Sequence, residues 1–435
     1  MNLSPWLYPR LPIHYRRCDG WVRRGRVITV EPTVVTVRIR GVQCGALVAI
    51  TTRDSGTRFT RARLVESSAV ACTPLESMHG VAVGDEATAT GAEMGSYCGH
   101  GLLGRCVDAW GGPANANCAV AAPADRAMPL ELRSPIERPL RTGVAAIDAL
   151  CTVGVGQRIA LFAGSGVGKS TLLRLIARHA QLDAHVVALI GERGREAAEA
   201  VEQLRATPRW PSTTVVCATA ESSPSERLAS AHTAIAQAEW LCERGHDVLL
   251  TMDSLSRVAN AWREIAIANG EPPAHRGHPA SLASLLAAMV ERAGARRRGS
   301  ITAIFAVLVD ADDQFEPVTD TVRGLLDGHL VLARNLADAG RFPPIDVLRS
   351  SSRLMQRIAT PEQLADAQLV RKALAALERA EDLFAIGAYA PGGDPFLDAA
   401  VAQRERLEGL IYQGDRTVAD PVEQLALVAA ALRST

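Results

Sequence analysis

The stretch RIALFAGSGVGKSTLLRLI, residues 158–176, joins an apolar run, a glycine-rich turn and a run of leucines at helical spacing. Glycines permit positive φ angles and close backbone approach, so consecutive N–H groups and the positive end of the next helix can face phosphate oxygens. The pattern therefore predicts a strand, a phosphate-binding loop and a helix. The residues expected to contact a nucleotide are Gly164, Ser165, Gly166, Val167, Gly168, Lys169, Ser170 and Thr171.

Lys169 stands out because only two of the 47 basic residues are lysines, the other being Lys372. We expect its ammonium to neutralise the β and γ phosphates of ATP and the Ser170 hydroxyl to hold magnesium. The strict G-x-x-x-x-G-K-[ST] pattern has glycine where this chain has Ala163. The alternative is a chance glycine turn before a helix. ATP and magnesium are the predicted cofactors.

Charge and cysteine content limit the kinds of partner and the cellular compartment that we expect. The 47 basic side chains balance 47 acidic ones, so no overall field draws the chain to nucleic acid or anionic lipid. Nine cysteines without a Cys-x-x-Cys pair favour reduced thiols, and no run of 18 apolar residues occurs. We expect a cytoplasmic protein without a signal peptide that meets a membrane only peripherally, at the cytoplasmic face of the inner membrane.

Three regions differ in pattern. Short β-branched runs with turn residues predict an N-terminal β-barrel over residues 1–79. Apolar runs followed by helical stretches predict a doubly wound, mainly parallel α/β sheet over residues 80–358. A Thr360-x-x-Gln363 cap opens a helical domain over residues 359–435.

Hydrolysis also needs carboxylates to hold the metal shell and to polarise the attacking water. Asp253 ends the apolar run DVLLTMD, and Glu192 follows another strand in ALIGERGRE. Ligands of α/β sheets sit beyond strand ends, which makes both residues candidates. An Asp at a helix N-cap and a solvated first-turn Glu are the alternatives.

Several segments in register resemble the export ATPases of type III secretion systems, injectisome and flagellar, which are related to the catalytic subunit of the rotary ATP synthase. These segments are GLLGRCVDAWGGP, PIERPLRTGVAAIDAL, GVGKSTLL, ALIGERGREA, LLTMDSLSRVANAWREIAIANGEPP, GSITAIFAVLVDADD, DGHLVLAR and FPPIDVLRSSSRLM. The resemblance covers about residues 80–395. It implies a RecA-like P-loop core, and the family has a small residue in place of Ala163.

The resemblance also implies roles for single residues. Glu192 would polarise water, Arg193 would lie near the phosphates, and Asp253 would act through magnesium. Arg257 would sense the γ phosphate side, and the ring of Phe342 would stack on adenine.

Arg353, in SSSRLM, matches an arginine finger donated across a subunit interface, and the family works as a ring of six. The implied partners are other copies of the chain in a homo-hexamer, central stalk and stator or regulator proteins, chaperone–effector complexes and an inner-membrane export gate. No nucleic acid partner is expected. The implied activity is ATP hydrolysis that drives chaperone release, unfolding and export of proteins.

Three other stretches bear on the alternatives. IGAYAPGGDP, residues 386–395, replaces the acidic lever of the ATP synthase subunit and favours an export ATPase. The tract PASLASLLAA, residues 279–288, is divergent and favours an injectisome, with flagellar export as the alternative. RRGR at residues 23–26 leaves an RNA-translocating ring ATPase as a further possibility. An inactive nucleotide-binding scaffold would lack Lys169, Glu192, Asp253 or Arg353.

Overall fold

A computed structural model describes residues 12–14, 22–54, 56–66, 69–113, 117–121, 128–309, 317–414 and 420–433. The chain divides into two compact units. The first comprises Met1–Met128 and Ala184–Arg292, and the second comprises Pro129–Asp183 and Ala293–Thr435. Each is described below by itself.

The strands of the described ranges are numbered in chain order. They are β1 (Ile13–His14), β2 (Arg23–Val30), β3 (Val35–Arg38), β4 (Ala46–Thr51), β5 (Thr57–Val65), β6 (Val70–Pro74), β7 (Glu86–Met94), β8 (Ser96–Cys98), β9 (Arg105–Val107), β10 (Ala119–Ala121), β11 (Arg158–Ala163), β12 (Ala184–Glu192), β13 (Thr213–Thr219), β14 (Asp247–Asp253), β15 (Gly294–Ala295), β16 (Ser300–Leu308), β17 (Gly328–Leu332) and β18 (Ser351–Ser352).

The α-helices follow the same convention. They are α1 (Ala145–Leu150), α2 (Lys169–His179), α3 (Gly194–Arg205), α4 (Pro224–Cys242), α5 (Leu255–Ala268), α6 (Ser281–Val290), α7 (Pro317–Leu325), α8 (Arg334–Asp338), α9 (Met355–Ile358), α10 (Pro361–Arg379), α11 (Glu381–Ala385), α12 (Pro395–Ala402), α13 (Arg404–Ile411) and α14 (Pro421–Arg433). Within the described ranges, none of them is long and apolar enough to cross a membrane.

The first unit begins with a closed antiparallel barrel. Its strand order is β7-β2-β3-β6-β5-β4, and β4 pairs back with β7, while β1 adds to the outside of β7. Along β3, Val35 and Val37 are buried and alternate with the more accessible Thr36 and Arg38, as expected for a strand with one face on a core. The predicted barrel is confirmed, and its last strand, β7, lies beyond residue 79.

The rest of the first unit is a parallel sheet in the order β14-β12-β13-β9. β12 is buried along nearly its whole length, which is typical of a parallel strand covered on both faces. Helix α4 packs on β12, β13 and β14. The predicted α/β class with mainly parallel strands is confirmed.

The second unit holds strands in the order β18-β17-β11-β16. β11 is parallel to both β16 and β17, and all of its residues after Arg158 are buried. Helices α10–α14 form the predicted C-terminal helical region of this unit, where α10 packs on α12 and α14.

Two buried glutamines join these C-terminal helices to the short helix α1. The Gln363 side-chain amide donates to the carbonyl of Asp148 at 3.1 Å and to the hydroxyl of Thr152 at 3.0 Å. Gln413 accepts from the amide of Ala145 and donates to the carbonyl of Gly143 at 2.9 Å. Because these side-chain amides are buried, losing their hydrogen-bond partners would leave polar groups unpaired and would lower the stability of the fold.

Asp148, at the centre of this contact, gives the fold a pH dependence. Its carboxylate accepts hydrogen bonds from the Thr142 hydroxyl at 2.6 Å and from the Gly143 amide at 3.0 Å. Burial nevertheless raises the pKa of Asp148 from 3.8 to about 6. The folded protein therefore binds this proton more tightly than the unfolded chain, and stability is lost as the pH rises from about 4 through about 6.

We predict that this loss disappears in Asp148→Asn. The difference in free energy of unfolding, wild type minus variant, should decrease as the pH is raised from about 4 to about 7. The asparagine is uncharged at every pH, so the constant cost of its altered hydrogen bonds does not affect the slope. Urea unfolding at a series of pH values measures the difference. Parallel pH profiles of the two proteins would contradict the assignment.

Candidate functional site

The glycine-rich turn has the backbone that a phosphate loop needs. β11 ends at Ala163 and α2 begins at Lys169, with Gly168 as the N-cap residue. Gly166 and Gly168 have φ angles of 77° and 103°, which L side chains rarely adopt. The first N–H groups of α2 have no partner within the helix, so the turn offers donors and the positive helix end to an anion.

The surroundings of the turn fix it and leave one side accessible. A Cβ atom on Gly166 would meet nothing within 4 Å, whereas one on Gly168 would lie 3.6 Å from Pro344 and 4.0 Å from the ring of Phe342. The Arg334 guanidinium donates to the carbonyl of Ser165 at 2.7 Å. Arg334 ends the motif DGHLVLAR, but no pattern or spacing distinguishes it from the many other arginines.

The side chains that follow the turn differ in exposure. Lys169 is only 8% exposed, whereas Ser170 and Thr171 are exposed at the first turn of α2. A single helix end thus brings together backbone donors, an ammonium and two hydroxyls, the combination that recognition of a polyphosphate requires.

Phe342 lies beside this turn, next to Gly168. It is 42% exposed, one of several large apolar side chains of the described ranges that reach solvent. The amide of Gly414 donates to its carbonyl at 2.8 Å, and Arg341 pairs with Glu408 at 3.1 Å. An exposed aromatic ring on an anchored backbone is suited to stacking on a flat base.

Glu192 and Asp253 lie at the carboxyl ends of neighbouring parallel strands of the first unit. Leu189 of β12 is in register with Asp253 of β14, and Glu192 follows after a β-bulge. Asp253 is the last residue of its strand, and Ser254 is the N-cap of α5. The N-cap of α3 is Arg193, so neither acid occupies the helix position that was the alternative.

Gly191 allows this corner to form. Its φ angle is 70°, and a Cβ atom there would lie 3.0 Å from the Cβ atom of Arg257. The structure thus brings Arg257 against the end of β12, next to Glu192. Arg193 is 82% exposed and pairs with Glu196 at 3.1 Å.

Each unit carries one hard oxygen ligand of the kind that a magnesium ion bound with a nucleotide prefers. Ser170 offers a hydroxyl at the phosphate loop of the second unit, and Asp253, which is 4% exposed, offers a carboxylate at a strand end of the first unit. In the described ranges, no three His, Cys, Asp or Glu residues form a group that could hold a metal by themselves. Such an ion would take its other ligands from phosphate and water.

Arg353 lies in the second unit, directly after β18, and is exposed. Its amide donates to the carbonyl of Asp327 at 2.9 Å, and its guanidinium donates to the carbonyl of Arg323 at 3.3 Å. An exposed guanidinium on an anchored backbone is available to a neighbouring molecule.

We predict that Gly191→Ala destabilises the fold by about 1–3 kcal/mol, because alanine must adopt a left-handed conformation and displace Arg257. Gly194→Ala, three residues further on at the start of α3, is the matched control. A Cβ atom there meets nothing within 4 Å. Its stability should be unchanged or slightly higher. Urea unfolding curves measure both, and equal stability of the two variants would show that the corner tolerates a side chain.

Comparisons with known proteins identify the family of the chain. The family model described as "ATP synthase alpha/beta family, nucleotide-binding domain" matches residues 143–352. The model "T3SS EscN ATPase C-terminal domain" matches residues 359–428. A flagellum-specific ATP synthase of Treponema pallidum is 42% identical over 398 residues, which cover 90% of this chain and 89% of the relative.

Solved structures show the same relationship. The assembled ATPase EscN from the type III secretion system of enteropathogenic E. coli superposes with a TM-score of 0.86 at 37% identity, covering 93% of this chain and 100% of EscN. EscN in complex with its central stalk EscO gives 0.85 at 36% identity, again over 93% of this chain and 100% of that one. The chain therefore belongs to the family of flagellar and type III secretion ATPases, within the ATP synthase alpha/beta family.

Proposed function

We propose that the chain is a hexameric ATPase that couples ATP hydrolysis to protein export through a type III secretion system. The observation that carries this proposal is the phosphate loop, in which two left-handed glycines precede a helix opened by Lys169. Family membership adds the hydrolytic activity and the ring.

Nucleotide binding is assigned to the second unit. Residues 164–171 contact the phosphates, with the buried ammonium of Lys169 on the β and γ groups. Phe342 stacks on the adenine, which its exposure beside Gly168 supports. Ser170 and Asp253 would hold a magnesium ion, which supplies positive charge at the phosphate oxygens.

The hydrolysis step is assigned to the carboxylate of Glu192 and to the guanidinium groups of Arg193 and Arg257. Glu192 orients a water molecule for in-line attack on the γ phosphate and polarises it. Arg193 directly follows Glu192 in the chain, and Arg257 packs against Gly191, the residue before Glu192; both counter the negative charge of the phosphates. These roles rest on the family resemblance, together with the positions of the three residues around the end of β12.

A second copy of the chain completes each pocket. Arg353 from the neighbouring subunit stabilises the charge that develops on the transferred group, and its exposure supports donation to another molecule. Loss of the γ phosphate weakens this contact. The difference in contact energy between nucleotide states is what can shift one subunit against the next around the ring.

The partners follow from the family. A central stalk protein in the ring, stator or regulator proteins, chaperone–effector complexes and an inner-membrane export gate are the proposed partners, with the ring at the cytoplasmic face of the membrane. Energy from hydrolysis would release and unfold the exported proteins. We assign the chain to an injectisome because of its divergent tract PASLASLLAA, residues 279–288. Flagellar export is the alternative, since relatives from both systems resemble the chain.

The basic run RRGR has a simpler account than RNA translocation. It opens β2 of the barrel, where Arg24 lies 3.5 Å from Glu86 and Arg26 donates to the carbonyl of Gly84 at 2.7 Å. These contacts serve the barrel itself. Hydrolysis stimulated by RNA would favour the alternative.

We predict that Arg353→Ala lowers ATP turnover at least about a thousandfold, because it removes an arginine finger. Lys169→Ala should be equally inactive. The two variants mixed in equal amounts should regain activity, because an Arg353→Ala pocket beside a Lys169→Ala neighbour has both groups. Random assembly makes about a quarter of the pockets complete. Steady-state phosphate release, measured after co-assembly, tests this.

The double variant Lys169→Ala/Arg353→Ala is the matched control. Mixed with either single variant it completes no pocket, so it should restore nothing. Arg357→Ala removes another exposed arginine four residues further on and should keep nearly full activity. Full turnover by Arg353→Ala alone, or a mixture of the two single variants that stays inactive, would refute a finger shared between subunits.

A further inference from the structure

Arg158 and Asp327 form a four-point clamp at the start of β11. The Arg158 guanidinium donates from Nε and Nη2 to the two carboxylate oxygens of Asp327 at 3.1 and 3.3 Å. The amide of Arg158 donates to the same carboxylate at 3.2 Å, and the amide of Asp327 donates to the carbonyl of Arg158 at 3.0 Å. The two side chains are only 14% and 24% exposed, so water screens the pair little.

The clamp holds the base of the predicted finger. The carbonyl of Asp327 accepts from the amide of Arg353 at 2.9 Å. It also accepts from the side chain of Gln157 at 3.1 Å, and the same amide group of Gln157 donates to the hydroxyl of Ser352 at 3.0 Å. Asp327 therefore joins the residue before β11 to the residues of β18 that lead into the finger.

The tip of the finger is held differently. Among the described residues, its guanidinium makes one hydrogen bond, of 3.3 Å and in an exposed position, to the carbonyl of Arg323 in the last turn of α7. A single exposed hydrogen bond exchanges readily with water or with another acceptor. The base of Arg353 is thus fixed, whereas its tip can leave Arg323 for a phosphate.

β11 gives this arrangement a second connection. The strand starts at the clamp and ends at Ala163, where the phosphate loop begins, about 20 Å away for six extended residues. The guanidinium of Arg323 also lies over the ring of Phe162, 5.3 Å from its centroid. The start of β11 is therefore connected, through Asp327, to the finger that would reach one neighbour. The end of the same strand leads into the phosphate loop of the subunit's own pocket.

We propose that Asp327, clamped by Arg158, is a positioning residue for the arginine finger that each subunit gives to its neighbour. This inference rests on the proposed function, in which Arg353 acts in trans. Asp327 touches neither nucleotide nor water in this account, and it acts by fixing the backbone from which the finger extends. A displacement of about 1 Å at such a group lowers the rate as much as a hundredfold.

The test places Asp327→Asn on one or the other chain of the complementing mixture. In the finger arm, Lys169→Ala/Asp327→Asn is mixed with Arg353→Ala, so the altered clamp lies beneath the working finger. In the pocket arm, Lys169→Ala is mixed with Arg353→Ala/Asp327→Asn, so the altered clamp lies in the chain that supplies the pocket. Both arms contain the same three substitutions, and general loss of stability affects them equally.

We expect the finger arm to release phosphate about tenfold to a hundredfold more slowly than the mixture of the two single variants. The pocket arm should stay within about twofold of that mixture. Asp366→Asn in the finger arm is the control, because it breaks another Asp–Arg pair of the second unit, with Arg433, and should also stay within about twofold.

Equal loss in both arms, or no loss in the finger arm, would overturn the positioning role while leaving the shared finger intact. A reference mixture that shows no complementation would overturn the shared finger itself, and this inference with it. The two failures are therefore distinguishable in one set of measurements.

Discussion

A glycine-rich turn can present its N–H groups to phosphates only if the strand before it and the helix after it are held in place, and here β11 supplies that rigidity. It pairs with β16 along all six of its residues and with β17 along four. After Arg158, every residue of the strand is buried. Because L side chains avoid the φ angles of Gly166 and Gly168, the loop depends on glycine for its shape and on β11 for its position.

The acids follow the same principle in the first unit. Glu192 and Asp253 stand at the carboxyl ends of parallel strands, where the backbone leaves the sheet. Gly191 turns the chain sharply enough for Arg257 to approach. In both units, strand ends in a buried sheet fix polar groups that would be mobile on an isolated loop.

The sequence was most informative where backbone chemistry leaves few choices. The glycines of residues 164–168 predicted the strand, turn and helix that the structure shows, because only a narrow set of residues permits that turn. Short β-branched runs separated by turn residues likewise predicted the barrel. Phe342 and Arg353 were different, because an exposed ring and an exposed guanidinium carry no periodic signal. They were identified only through the family resemblance, and their roles stay proposals.

Contacts between distant parts of the chain could not be predicted. Arg158 and Asp327 are 169 residues apart, and neither pattern nor spacing pairs them. The expected cap at Thr360 is present, since its hydroxyl accepts from the amide of Gln363 at 3.2 Å. The side chain of Gln363 instead reaches the carbonyl of Asp148. The side-chain amide of Gln363 could have bonded back to the start of its own helix as a cap, but tertiary packing places it on α1.

The buried side-chain amides of Gln363 and Gln413 limit how chimaeras can be built from two members of this family. The helices after residue 360 are matched to α1 through the side chains of Gln363 and Gln413, which satisfy backbone groups at positions 143, 145 and 148. A chimaera that takes its last 75 or so residues from a relative would orphan these groups unless the segment around α1 came from the same parent. The C-terminal helices look like a separate module in the sequence, but their hydrogen bonds make them depend on the segment around α1, so the two segments must come from the same parent.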